Sequence, residues 1–162
     1  MQDPAIPPCF ISIDREGRWF HKGAEMIRRE IIRFFYDHLE MDPAGRYMLH
    51  VGDERCLLDV EDTPFVVQQV RFQDNHGVQE FRLFLSDETS ESLVPETLFV
   101  GGENVLYCRV KRGQFPGRFH RPAYYQLAEF AEEEEGRFYL PLNGRKHWIN
   151  LSQSAESKEI LS

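Results

Sequence analysis

A chain of 162 residues with 27 Asp and Glu against 19 Lys and Arg has a net charge of −8. That balance excludes a diffuse nucleic-acid surface and an anionic membrane surface, because both need concentrated cationic side chains. The length suits one domain or two small lobes sharing a core, the 41% hydrophobic and 13% aromatic content is ordinary for a globular protein, and no apolar run reaches the ~18 residues needed to span a bilayer.

Residues 1–9 form a Pro-rich lead-in without a basic or apolar leader segment. FISI (10–13) and RWFH (18–21) flank Asp14-Arg15-Glu16-Gly17, which predicts a hairpin. From Ala24 to Glu40 the period changes. Ile27, Ile31, Phe34, Phe35 and Leu39 fall on one face of a helix, which Asp42-Pro43-Ala44-Gly45 ends. Strands at 46–51 and 55–60 follow, then a break at Glu61-Asp62-Thr63-Pro64. FVVQQVRF (65–72) and VQEFRLFLS (78–86) bracket a turn at Asp74-Asn75-His76-Gly77. Residues 87–103, polar with a Pro and a Gly pair, read as a linker between two halves.

NVLYCRVK (104–111) predicts the next strand, and 112–120 reads as a Gly- and Arg-rich loop. Pro122 suits the first position of a helix over 122–134. Strands at 137–142 and 145–151 meet at Asn143-Gly144, a type I′ turn signal. Residues 152–162 read as a polar, frayed tail.

One phrase is written twice. GRYMLHVGDERCLLDV (45–60) and GRFYLPLNGRKHWINL (136–151) share an opening, a turn and a closing apolar pair, and each follows a helix. The prediction is an α+β chain of two similar α/β-roll units, each strand, helix and β-hairpin, packed together with mainly antiparallel sheets. The first unit is 10–86 with an extra hairpin and the second is 104–151. One hairpin with one helix is marginal alone, so two copies would bury each other's apolar faces.

Three stretches carry a family resemblance. They are Trp19-Phe20-His21-Lys22-Gly23 running into Arg28 and Ile31-Ile32-Arg33-Phe34-Phe35; Val60-Glu61-Asp62-Thr63-Pro64-Phe65; and Arg112-Gly113 with Arg118-Phe119-His120-Arg121-Pro122-Ala123-Tyr124-Tyr125-Gln126-Leu127. In order and spacing, over about residues 10–151, they resemble the bacterial domain-of-unknown-function family 1285. The resemblance implies tandem α/β-roll repeats with a ligand-binding or signal-transduction role, and no established activity. Glu25 stands where the family has a proline, and Gln114 where it has a second glycine.

Arg28 and Arg121 align at the starts of the two predicted helices. Cations favour the other end of a helix, so arginines there suit an anion or a carboxylate lying between the halves. Arg112, Arg118 and His120 add charge near the second helix, and His21 and Asp62 complete the candidate set for a small anionic ligand. Pairing of Arg28 and Arg121 with Asp59, Glu61 or Asp62 would instead tie the halves together.

His21, His120 and His147 have no metal-ligand spacing, so no metal or cofactor is predicted. No nucleophile elbow, P-loop or dinucleotide fingerprint occurs. Cys9, Cys56 and Cys108 are isolated and odd in number, which predicts free thiols in a reducing compartment. Cys108, mid-strand beside Arg109, reads as a core thiol, and Trp19 and Trp148 as core anchors. Glu132 to Glu135 read as a solvated face or a contact for a basic partner.

The sequence therefore predicts a soluble, cytoplasmic, non-enzymatic regulatory or ligand-binding protein holding a small anion between its halves. The alternatives are a hydrolase using the arginine cluster with Asp62, and a module docking a protein on its acidic surface.

Overall fold

Turn residues every few positions cut this chain into short strands. The computed structural model describes residues 5–151, and the expected frayed tail at 152–162 lies outside them, as do residues 1–4. The described residues form sixteen strands, two α-helices and two short 3-10 turns, an α+β fold dominated by β-structure. The chain divides into two compact units after Pro64.

The first unit has strands β1 (Pro8–Ile13), β2 (Trp19–His21) and β3 (Ala24–Glu25), helix α1 (Arg29–Asp37), then β4 (Leu39–Met41), β5 (Tyr47–Val51) and β6 (Glu54–Val60). These pair as one six-stranded sheet in the order β3-β2-β1-β6-β5-β4. Only β1 and β6 run parallel. Two of its turns use the same chemistry, D-x-x-G-R. One carboxylate oxygen of Asp14 accepts the N–H groups of Glu16 and Arg18, both at 2.9 Å, and the other oxygen takes Arg18 Nε at 2.8 Å. Asp42 repeats this with Ala44 at 3.0 Å, Arg46 N–H at 2.8 Å and Arg46 Nε at 2.8 Å. Gly17 (φ 85°) and Gly45 (φ 87°) take the left-handed step that closes each turn.

The helix is shorter than the apolar period suggested. Lys22-Gly23 turns the chain back, so Ala24 and Glu25 pair with β2, and Leu39 joins a ladder with Leu49. Strand pairing satisfies the backbone at both ends and limits the helix to 29–37. Trp19, 1% exposed, stacks on Phe35 at 6.0 Å and meets the edge of Tyr36 at 4.9 Å. The Tyr36 hydroxyl donates to the Pro64 carbonyl at 2.9 Å.

The expectation of three free thiols is overturned. Cys9 and Cys56 form a disulfide with Cα atoms 4.9 Å apart. Parallel pairing sets Pro8 opposite Leu57 and brings the two cysteines side by side, across a register irregularity between Pro8 and Ser12.

The second unit opens with β7 (Phe65–Asn75) and β8 (Val78–Leu85), followed by β9 (Ser90–Ser92), β10 (Phe99–Val100), β11 (Leu106–Val110) and β12 (Phe115–Phe119). Helix α2 (Arg121–Ala128) leads to β13 (Glu132–Glu134), β14 (Arg137–Leu142), β15 (Arg145–Trp148) and β16 (Asn150–Leu151). A seven-stranded sheet runs β16-β10-β11-β12-β7-β8-β9, and β13-β14-β15 make a separate three-stranded sheet. α2 lies along β7 with Ala123 and Leu127 buried, and its Gln126 Oε1 accepts the Val70 N–H at 2.7 Å. Phe72, Phe81 and Phe130 pack ring against ring at 5.1–5.3 Å. At the Asn143-Gly144 turn, Asn143 exchanges three hydrogen bonds with Gln79 at 2.7–2.9 Å.

Three segments differ from expectation. The stretch 87–103, read as a linker, lies inside the second unit. Ser90–Ser92 pairs with β8 and Phe99–Val100 with β11, while Leu93, Pro95 and Leu98 are buried. The 112–120 loop contains β12, where Phe115, Gly117 and Phe119 alternate inward. The helix read to residue 134 ends at Ala128, and Glu132–Glu134 pairs with β14 instead. The repeated phrase therefore sits in the same local order twice. Each helix precedes a three-stranded antiparallel meander, β4-β5-β6 and β13-β14-β15, rather than a bare hairpin.

Candidate functional site

The six residues singled out from the sequence divide evenly between the units: His21, Arg28 and Asp62 in the first, Arg112, Arg118 and Arg121 in the second. Arg28 is the residue before α1, 74% exposed, with its Nε 4.0 Å from Glu30. The equivalent residue before α2 is His120, and Arg121 is the first helical residue. The place of Arg121 is therefore held in α1 by Arg29. His21 is exposed at the end of β2, and Asp62 is half-buried in the bend after β6. Its neighbour Glu61 is held by Arg15, through the backbone N–H at 3.0 Å and a two-nitrogen fork at 2.9–3.1 Å. Those bonds hold the Glu61 carboxyl below its usual range.

In the second unit, Arg112 is exposed in the turn before β12, at φ 59°. Arg118 is half-buried on β12, in register with Tyr107 and Val66, and Arg121 is exposed at the start of α2. The five residues of β12 separate Arg112 from Arg121 by roughly 16 Å of strand.

Sequence reasoning passed over a buried charge. Asp87 has a 6% exposed side chain, ion-paired with Lys111 Nζ. The Asp87 carboxylate also accepts the Thr89 hydroxyl at 2.6 Å, Lys111 Nζ donates to Thr89 Oγ1 at 2.8 Å, and Glu91 accepts the Lys111 N–H at 3.1 Å. Every polar group here has a partner, as a buried charge requires. The cluster ties the β8–β9 turn to the end of β11 and is structural.

One concave feature of the second unit is a pocket of about 570 Å³, within the roughly 300–1,000 Å³ typical of small-molecule sites. Helix α2 supplies one wall through Tyr124, Leu127 and Ala128, and β14 supplies Phe138 and Leu140. Val100, Leu106 and Ile149 form the opposite apolar wall. Asn104, Arg137 and Asn150 bring polar groups to it. Asn104 and its neighbour Glu103 both have positive φ, 58° and 60°, a conformation that costs a non-glycine residue about a kilocalorie or more and gathers at binding sites.

Arg137 is placed by its surroundings. Its guanidinium carbon lies 4.4 Å from the Trp148 ring centroid. Two acidic residues of the facing strand have other partners, although Glu134 is the register partner of Arg137. Glu132 accepts the Tyr139 hydroxyl at 3.0 Å, and Glu134 pairs with Lys146 at 2.7 Å. These contacts push the Tyr139 hydroxyl and the Lys146 ammonium above their usual pKa ranges. Among the described residues Arg137 makes no ion pair.

Residues 5–63 match the N-terminal domain of DUF1285, a domain of unknown function. The match covers a little over a third of the chain and ends one residue before the division between the units. No curated protein matches the chain. Two crystal structures of DUF1285 family proteins share the fold. One, from Silicibacter pomeroyi DSS-3, has a TM-score of 0.75 at 22% identity, over 95% of this chain and 87% of that one. The other, from Shewanella baltica OS155, has a TM-score of 0.61 at 20% identity, over 75% of this chain and 91% of that one. The DUF1285 resemblance read from the three sequence stretches is thus shown.

The pocket could not be found from sequence. Its lining is scattered between Val100 and Asn150, and each apolar member reads as ordinary core. The sole local hint was Arg137 directly after Gly136 in the repeated phrase.

Proposed function

We propose that this chain is a non-enzymatic, cytoplasmic binding protein for a small organic molecule, serving signal transduction, with the pocket under α2 as its site. The observation that carries the reading is the coexistence, in one pocket, of apolar walls and a pre-placed guanidinium without a carboxylate partner. Apolar concavities with a few convergent polar groups are the usual form of ligand sites. The two helix-plus-meander segments are, in this reading, two copies of one α/β roll. The hydrolase alternative would join Asp62 to arginines of the other unit. On the acidic surface of the protein-docking alternative, Glu132 and Glu134 already pair with Tyr139 and Lys146.

A thermal-shift screen of organic acids, amines and neutral compounds tests the site. A ligand at a hundred times its Kd stabilises by about 2.7 kcal/mol. Ala128→Trp, on an exposed helix position lining the pocket, should remove that response. A ligand whose stabilisation survives Ala128→Trp unchanged would place binding elsewhere. Compartment is tested by trapping thiols in intact cells, where a persistently oxidised Cys9–Cys56 pair would contradict a reducing location.

A further inference from the structure

We infer that the pocket takes an amphipathic carboxylate, with the acid head at Arg137 and an apolar tail on the wall of Val100, Phe138 and Ile149. This rests on the reading of the pocket as a ligand site.

Three observations lead to the head group. Arg137 lines the pocket and its guanidinium is held over Trp148 at 4.4 Å, so little side-chain freedom remains to be lost when it binds. Two of its acidic neighbours, Glu132 and Glu134, pair with Tyr139 and Lys146, and Arg137 itself makes no ion pair among the described residues. Asn104 and Tyr124 line the same pocket, and among the described residues neither side chain makes a hydrogen bond. An amide and a phenol can donate to the oxygens of a carboxylate beside the guanidinium fork. The guanidinium geometry matches a planar, two-oxygen anion better than a point charge.

The tail follows from the walls. Leu106, Leu127 and Leu140 are buried and back the pocket with little free surface, so the apolar area open to a ligand is that of Val100, Phe138 and Ile149. A small inorganic anion would leave this area wet. A purely apolar ligand would leave the guanidinium without a partner and desolvated at the mouth.

Isothermal calorimetry with octanoate, 1-octanol, acetate and inorganic phosphate tests the assignment. Octanoate should bind the native chain, octanol at least roughly tenfold more weakly through loss of a charge-assisted bond, and acetate and phosphate without measurable heat. Arg137→Gln should lower octanoate affinity to near that of octanol, a larger loss than octanol itself suffers, and Arg137→Lys should recover part of the difference. Arg137 is exposed, so both variants fold, which circular dichroism verifies. Equal binding of octanoate and octanol, or no effect of Arg137→Gln, overturns the acid head and leaves an apolar site standing. Binding of acetate or phosphate as tight as octanoate overturns the tail. If no tailed compound binds at millimolar concentration, the pocket is not a ligand site and the proposed function falls with it.

Discussion

Reducing the Cys9–Cys56 bond should cost the first unit about as much stability as a small domain can spare. The bond joins residues 47 positions apart. Closing a loop of that length removes chain entropy from the unfolded state worth about 4 kcal/mol at 25 °C. It also pins β1 to β6 where their ladder is irregular, so few backbone bonds stand in for it there. The perturbation is Cys56→Ser, or dithiothreitol on the native chain, compared with glutathione-oxidised protein in urea. With m-values of about 1–3 kcal/mol/M, the oxidised midpoint should lie more than about 1 M urea above the others. Thiol counting supplies the covalent control: one reactive thiol in denatured, unreduced protein and three after reduction. Coincident urea midpoints in proven oxidised and reduced samples would refute the loop-entropy argument. Three thiols after thorough oxidation would refute the pairing.

Four further outcomes follow from the packing. Trp19→Phe keeps a ring against Phe35 and Tyr36 while removing a buried indole N–H that has no partner among the described residues; urea unfolding should show a change within about 1 kcal/mol, against about 3–5 kcal/mol for Trp19→Ala. Gly101→Ala would set its new Cβ 2.7 Å from the Tyr107 ring, which is stacked on Phe99, and should cost about 1–3 kcal/mol; an unchanged midpoint would show that the ring moves freely. Burial pushes the Cys108 thiol up to about 12, so native protein at pH 8 should not react with a thiol reagent that labels it once urea is added. Burial alone would raise the Asp14 carboxyl, but hydrogen bonds from Arg18 and Glu16 hold it below the usual range. Its folded pKa thus lies under the unfolded ~3.9, so its contribution is present above that pH and lost as pH falls through the folded value. Asp14→Asn should flatten the acid limb of a stability–pH curve, and NMR titration of Asp14 reports the pKa itself.

The features legible in the sequence are those fixed by neighbours along the chain. The hairpins at 10–21, 65–86 and 137–148 follow from alternation and turn residues within a dozen positions. The period located α1 but not its buried face, since Ile27 and Phe34 are exposed, Leu39 lies in β4, and Tyr36 is the buried helix residue; the repeated phrase marked two helix-led meanders. The ends of both helices were misplaced because local propensity cannot weigh a competing ladder: Ala24–Glu25 and Glu132–Glu134 went to strands whose partners complete their hydrogen bonds. β12 looked like a loop because Gly and Arg surround its inward-facing Phe115 and Phe119. The disulfide depends on β1 lying parallel to β6, and parallel neighbours are joined through intervening elements that no short window spans. The alignment of Arg28 with Arg121 came from matching two sequence stretches, whereas the placing of Arg137 over Trp148 came from strand register. Apolar residues look alike in sequence whether they fill a core or line a cavity. Only the approach of α2, β11 and β14 leaves a volume among Leu106, Leu127 and Leu140, and that approach is set by packing between elements distant in the chain.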